Sequence, residues 1–212
     1  MTQAAAAHEP QRLIITAAQY EAIVAPPPVI PTQGEIFESQ IALYAEYGLG
    51  TESEFRRLAE FIPETGLFLL VPKKPDPIDL QKLMSMVELN GKRGTNYLDP
   101  AYLKDLVTVP KSHYLALGIE DGRSRLDVAP RDSRKNIERE NRSGYVTLEG
   151  ICHAAVFPVL SHHNMDCVGS QCVEKFVPLV YVDDDKPALN DDWDDGRDPE
   201  WGAPSCRERK GF

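Results

Sequence analysis

Residues 144–160 read GYVTLEGICHAAVFPVL and residues 175–182 read KFVPLVYV, and these two apolar segments decide the fold. The first is apolar almost all round, which predicts a buried helix with Thr147 as its N-cap and Pro158 at its end. The second predicts a strand, and Pro178 inside it favours a sheet edge or a bulge. Together they predict the core helix and the core strand of one domain.

Further elements follow from the pattern upstream of these segments. The residues 35–48 and 51–62 have helical spacing, and Thr51 with Glu54 forms a capping box. Two short apolar runs, 66–72 and 113–119, predict strands, and residues 78–91 predict a helix that starts at Asp79. We therefore expect an α+β fold, a small mixed or antiparallel sheet with helices packed mainly on one face; α/β is the alternative.

Composition divides the chain into three parts. Residues 1–34 form an Ala- and Pro-rich leader, expected to be flexible, although its apolar stretch LIITAAQYEAIV could dock on a second subunit of a homo-oligomer. Residues 35–182 are expected to form a single α+β domain. Residues 183–212 are an acidic segment with two Trp residues, expected as coil packed on or beside that domain.

The overall charge restricts the partners. The chain has 212 residues and a formal net charge of −10, which argues against nucleic-acid or anionic-membrane binding because both require clustered Lys and Arg. No signal peptide and no membrane-spanning run are recognisable, so we expect a cytoplasmic protein with reduced cysteines.

Four residues in the last third of the chain are candidate metal ligands. Zinc accepts His and Cys, and His162, His163, Cys167 and Cys172 lie close together in sequence. Their spacing lacks the two close pairs of a structural zinc site. We therefore expect no cofactor, with zinc as the alternative, and ordinary buried thiols and exposed imidazoles as the competing interpretation.

Cysteine catalysis is a second candidate chemistry. Cys172 precedes a predicted strand and Cys206 follows GAPS, and His153 could serve either as a base. Neither cysteine lies in a known nucleophile signature.

The acidic segment offers a third candidate. Eight Asp residues fall between Asp183 and Asp198, but the pattern fails as a calcium loop because Trp193 occupies a ligand position. Trp193 and Trp201 are candidate partner-binding residues for a basic surface, since Trp is favoured in interface hot spots. The competing interpretation folds both rings back onto the core.

The order of several pieces resembles a family. These pieces are FESQIALYAEYG, FLLVP, MSMVELNGKRG, YLALGIEDG, VTLEGICHAAVFP, VGSQC…VPLVYV and KPAL…W…EWGAPSC. From Phe37 to Cys206 the chain is similar to an uncharacterised bacterial family, a domain of unknown function with no established activity. The resemblance therefore implies no reaction. In that family the segment after KPAL is more apolar and aromatic than NDDWDDGRDPE, which puts a shared role for this loop in doubt.

The leading functional expectation is a non-catalytic, acidic, cytoplasmic binding or interaction protein, whose partner is a protein with a basic surface. The alternative is a metal-dependent or cysteine-based enzyme that uses the Cys and His residues after residue 150.

Overall fold

In the computed structural model, which describes residues 31–173 and 175–212, short helices and short strands alternate along the chain. The described α-helices are α1 Gln33–Glu46, α2 Glu52–Arg56, α3 Leu80–Met84, α4 Pro130–Arg139 and α5 Thr147–Val156. The described strands are β1 Phe68–Val71, β2 Glu88–Leu89, β3 Lys92–Arg93, β4 Thr95–Asn96, β5 Lys104–Asp105, β6 Tyr114–Leu117, β7 Ser143–Gly144, β8 Asn164–Asp166, β9 Ser170–Gln171, β10 Phe176–Asp183, β11 Lys186–Trp193, β12 Trp201–Gly202, β13 Ser205–Cys206 and β14 Glu208–Gly211. The α+β prediction is confirmed, because the strands form small antiparallel or mixed sheets.

The two predicted N-terminal helices, α1 and α2, are both present. The backbone N–H of Glu54 donates to Thr51 Oγ1 at 3.3 Å, and the N–H of Thr51 donates to Glu54 Oε2 at 2.8 Å. This is the predicted capping box, which satisfies two backbone donors that a helix start would leave unpaired. A second box, Thr32 with Glu35, starts α1 in the same way.

The predicted strands β1 and β6 pair antiparallel in a three-stranded sheet. The strand β6 lies in the middle, with β1 on one side and β14 on the other. All four residues of β1 are fully buried, as its continuous apolar sequence predicts. The sequence predicted a single sheet that contains β1, β6 and β10, whereas β10 belongs to a different sheet.

That second sheet has five strands in the order β12-β8-β10-β11-β4. The strands β10 and β11 form an antiparallel hairpin whose two-residue turn consists of Asp184 (φ 47°) and Asp185 (φ 61°). Positive φ at both turn residues is the type I′ geometry that matches the twist of the flanking strands. The short strands β4 and β12 add in parallel to β11 and β8.

The two faces of the five-stranded sheet differ in chemistry. Met165, Val180 and Leu189 occupy paired positions, share one face and are fully buried in the main core. The helix α5 contacts both β10 and β1, so it lies between the two sheets. On the opposite face Leu179 lies beside Asp166 of β8, so this face carries polar groups.

The start of α5 is fixed by a buried ion pair. Glu149 accepts Nε–H and Nη2–H of Arg209 at 2.7 and 2.8 Å, and both side chains are almost completely buried. The N-cap is Val146, whose N–H donates to Glu149 Oε2, so the prediction of Thr147 as N-cap is wrong by one residue. The helix ends before Pro158, as predicted.

Three local predictions are wrong. The helix that Asp79 caps ends at Met84 instead of continuing to Asn90. The residues predicted as its C-terminal part form the hairpin β2–β3, whose turn consists of Asn90 (φ 52°) and Gly91 (φ 76°). The segment after residue 182 is not coil, because it contributes β11 to β14. Pro178 is not at a sheet edge. Its strand, β10, lies between β8 and β11. The strand β8 ends at Asp166, which pairs with Leu179, so Pro178 lies just beyond this pairing and its missing N–H is tolerated there.

The prediction of a flexible or dimer-forming leader, residues 1–34, falls almost entirely outside the described residues. Among the described helices, none is long and apolar enough to cross a membrane.

Candidate functional site

A small cavity lies on the polar face of the five-stranded sheet. It has a volume of about 230 Å³, and Leu179 of β10 contributes apolar surface to it. We call it the Asp–Trp pocket after the five residues that give it its chemical character: Asp166, Asp192, Asp198, Trp193 and Trp201.

Asp166 is the buried acid of the pocket. Only 4 % of its surface is exposed, and no donor among residues 31–173 and 175–212 hydrogen-bonds to its carboxylate. Burial, together with the charges of Asp192 and Asp198, raises its pKa to about 7, while Arg134 acts in the opposite direction. Burial of an ionisable group without a partner disfavours its charged form, which explains the direction of this shift.

Two exposed carboxylates, Asp192 and Asp198, stand at the rim. Asp192 Oδ1 accepts the backbone N–H of Trp193 at 2.7 Å, and Asp198 Oδ1 accepts that of Glu200 at 2.8 Å. Each rim carboxylate thus uses one oxygen for the local backbone. Arg197 also lines the pocket, and its Nε–H donates to the carbonyl of Asp127. Acidic groups therefore outnumber basic ones around the cavity.

The two Trp rings of the pocket are each supported by another aromatic ring. Trp193 packs against Phe176 with ring centroids 4.5 Å apart, and Trp201 stacks on Tyr181 at 5.8 Å. Trp193 is nevertheless 52 % exposed. Both candidate partner-binding residues therefore border the cavity. Along β11 the Trp193 side chain lies beside Phe176, on the face opposite to Asp192, so the indole on the cavity side of the sheet is that of Trp201.

The loop that carries Asp198 is held to the start of α4. Asp194 accepts Nη1–H of Arg134 at 2.9 Å, and its carbonyl accepts the N–H of Arg131. The N–H of Asp127 donates to the carbonyl of Asp198 at 3.0 Å. These bonds fix the pocket wall before any ligand arrives, and preorganisation of this kind lowers the cost of binding.

The cysteines are not placed as nucleophiles require. All four are free, and Cys152, Cys167 and Cys206 are buried while Cys172 is half-buried. Burial raises the pKa of Cys172 to about 12, with the carboxylate of Asp191 acting in the same direction, and burial beside Glu149 does the same for Cys206. A reactive cysteine needs a lowered pKa, so these surroundings do not support catalysis at either thiol.

The candidate histidines lie apart from the Asp–Trp pocket. His162 is exposed, whereas His163 is buried, with its Nδ1 2.8 Å from the carbonyl of Asn164 and its Nε2 3.9 Å from Asp121 Oδ2. His153 is buried beside Tyr145, and burial lowers its pKa to about 4. A neutral imidazole of this kind is an ordinary core residue.

The candidate metal ligands gain no support from this arrangement. In the part of the chain that the structure describes, no group of three or more His, Cys, Asp or Glu side chains could hold a metal ion. Zinc binding by His162, His163, Cys167 and Cys172 stays the untested alternative to the expectation of no cofactor, and elemental analysis of the purified protein tests it.

Sequence reasoning missed Asp166, the central group of the pocket. The one available signal is its position in MDCV, where a single charged residue interrupts an otherwise apolar run. A buried carboxylate in a strand that faces the core requires a partner, and such a residue is a site candidate.

Comparisons with known proteins identify the family but no activity. No curated protein matches the chain, and no solved structure matches it. The model of the Family of unknown function (DUF5701) matches residues 42–210, a span that contains every residue of the Asp–Trp pocket. The resemblance noticed in the sequence is thereby confirmed, and the chain belongs to this family of unknown function.

Proposed function

We propose that the protein is a non-catalytic binding protein whose Asp–Trp pocket docks a basic surface of a partner protein. The observation that carries the proposal is the carboxylate of Asp166, buried in a cavity and without a hydrogen-bond donor among the described residues. Burial disfavours the charged form of this group, and a cation that enters the cavity would offset that cost by pairing with the carboxylate.

The surroundings of Asp166 support the same class of partner. The rim carboxylates Asp192 and Asp198 extend the negative potential to the surface, where it attracts a basic partner and raises the association rate. Trp193 and Trp201 provide rigid aromatic surface, which interfaces use as energetic anchors. The same charges repel nucleic acid and anionic membranes.

The proposed location is the cytoplasm. The four free thiols support it, because cytoplasmic proteins keep their cysteines reduced.

Titration of the protein with an oligolysine peptide, followed by Trp fluorescence, tests this function. We expect a saturable change that weakens with added salt, and no change with an acidic peptide of equal length. Asp192→Asn should weaken binding by about fivefold or more, which corresponds to about 1 kcal/mol.

Asp185→Asn is the matched control for charge. It removes the same charge from the turn at the far end of the β10–β11 hairpin, and Asn tolerates the positive φ there. Absence of binding, or an equal loss in this control, would contradict a specific docking site.

A further inference from the structure

The two buried carboxylates of the described residues, Glu149 and Asp166, have different surroundings. Glu149 receives four hydrogen bonds, from Tyr114 Oη–H, from the N–H of Val146 and from two nitrogens of Arg209. Asp166 is similarly buried but receives none from the described residues. Since Asp166 lines the Asp–Trp pocket, a group that enters this cavity can supply hydrogen-bond donors to its carboxylate.

The size of the cavity limits what can enter. A volume of about 230 Å³ is below the range of pockets that hold drug-sized ligands, and it suits one side chain or a small amine. A whole peptide segment does not fit, so recognition at this point concerns a single cationic group.

The arrangement of acceptors distinguishes two kinds of cation. Asp166 lies at the floor, while Asp192 and Asp198 each offer one remaining oxygen at the rim. An ammonium group has three donors that diverge, and it can address three separate carboxylates. A guanidinium is larger, and all of its donors lie in one plane, so it suits acceptors that share that plane better than one carboxylate at the floor and two at the rim.

Trp201 adds a site for the rest of such a ligand. It lines the cavity and stacks on Tyr181, which shares the Leu179 face of β10, and Trp is the side chain that attracts cations most strongly through its ring face. The alkyl carbons next to an ammonium also gain from burial against Leu179 and this indole ring.

We propose that the Asp–Trp pocket binds one alkylammonium group, the side chain of a lysine on the partner, with Asp166 as its counter-ion at the floor. This inference rests on the proposed function, because the lysine is the part of the basic surface that enters the pocket.

Proton release accompanies this binding. A cation pairs with the ionised form of Asp166, and the groups that act on this carboxyl are Asp192, Asp198 and Arg134, with Arg197 also lining the pocket. Because burial and the two aspartates raise the pKa of Asp166 to about 7, affinity should increase roughly tenfold between pH 6 and pH 8 as the competent fraction grows.

Three small probes test the ligand class on the full chain: n-butylammonium, n-butylguanidinium and neutral 1-butanol. Trp fluorescence should change saturably with butylammonium at about millimolar concentration, as expected for so small a ligand. Butylguanidinium should bind several-fold more weakly and 1-butanol should not bind. Butylammonium should also displace the oligolysine peptide.

Asp166→Asn provides the decisive variant. It is isosteric and removes a buried charge, so it should fold, which circular dichroism checks. We expect butylammonium affinity to fall at least tenfold and its pH dependence to disappear, while Asp185→Asn keeps both. Unchanged affinity in Asp166→Asn, or equal binding of butylguanidinium, overturns the ammonium pocket.

The outcomes separate this inference from the proposed function. If oligolysine binds but butylammonium neither binds nor competes, the docking function stands and the ammonium pocket is wrong. If butylammonium binds through Asp166 but oligolysine does not, the pocket stands and its occupant is a free amine instead of a partner protein.

Discussion

At the scale of single residues, the pair Glu149–Arg209 joins the start of α5 to β14. Glu149 has no exposed surface, so removal of its charge leaves the guanidinium of Arg209 buried without a counter-ion. Breaking a buried pair in this way costs about 3–5 kcal/mol. We expect Glu149→Gln to lower the free energy of unfolding by this amount, measured with urea at pH 7.

Tyr114→Phe is the control for the loss of a single hydrogen bond. It removes one donor to Glu149 and leaves the ion pair intact, so its cost should be about 1–2 kcal/mol. A smaller loss in Glu149→Gln than in Tyr114→Phe would contradict the structural role of the pair.

At the scale of elements, the short strand β12 is positioned by a contact between two glycines. A Cβ on Gly202 would lie 2.3 Å from the carbonyl oxygen of Gly122, which is a clash with rigid backbone. Gly202→Ala should therefore cost about 1–3 kcal/mol and displace Trp201, which weakens oligolysine binding. Thermal unfolding and the fluorescence titration measure the two effects.

Gly196→Ala is the matched control for stability on the neighbouring loop; because Gly196 itself lines the Asp–Trp pocket, only thermal unfolding is compared. The nearest atom to its added Cβ, the carbonyl oxygen of Trp193, would lie at 3.7 Å, an ordinary contact. Equal damage by both variants would show that β12 does not depend on the close approach to Gly122.

Replacement of Asp185 by Gly in the turn of the β10–β11 hairpin is predicted to increase stability, in contrast to the variants above. Asp185 has a positive φ of 61°, which is unfavourable for a residue with a Cβ, and Asp-Gly is a preferred sequence for type I′ turns. Asp185→Gly should increase the free energy of unfolding by up to about 1 kcal/mol. Asp185→Ala should decrease it. A loss of stability with Gly would contradict the assigned turn.

At the scale of the whole molecule, two buried groups make stability depend on pH in opposite directions. Asp166 has a pKa raised from 3.8 to about 7. Its stabilising contribution to the free energy of unfolding is therefore complete below pH 4 and is lost as pH rises through 7, a loss of up to about 4 kcal/mol. His153 has a pKa lowered from 6.5 to about 4. Its contribution is complete above pH 6.5 and is lost as pH falls through 4, by about 3 kcal/mol.

Urea unfolding between pH 4 and pH 8 separates these two contributions. Relative to the unaltered protein, Asp166→Asn should gain stability as pH rises, and His153→Gln should gain it as pH falls. A constant difference across this range for either variant would show that its group does not titrate on unfolding.

Much of the main core was predictable from the sequence. The capping box at Thr51, the apolar run of β1 and the all-round apolar helix α5 are local patterns, and each was predicted correctly in kind. Local sequence patterns gave wrong secondary structure where turns and contacts between distant segments determine the conformation. Residues after Met84 have helical spacing, but Asn90 and Gly91 turn the chain into a hairpin.

The site was less predictable than the core. The strand β11 places Asp192 on the face that borders the cavity and Asp191 on the opposite face. By composition alone, such an acidic sequence indicates coil. Trp193 and Trp201 were identified as candidates, whereas Asp166 was not. Its significance comes from the absence of a donor among the described residues, a property that only three-dimensional contacts reveal.

The strands β12, β13 and β14 each pair with a strand formed much earlier in the chain, β8, β7 and β6. On the ribosome, those earlier strands emerge before their partners have been synthesised, and their unpaired edges are open to association with other chains. Pairings between distant segments also close slowly, because long loops must lose entropy first. We therefore expect nascent chains that stop before residue 201 to bind chaperones and to be cleaved readily by proteases. Once β12, β13 and β14 have been synthesised and have paired, chaperone binding and rapid cleavage should both cease.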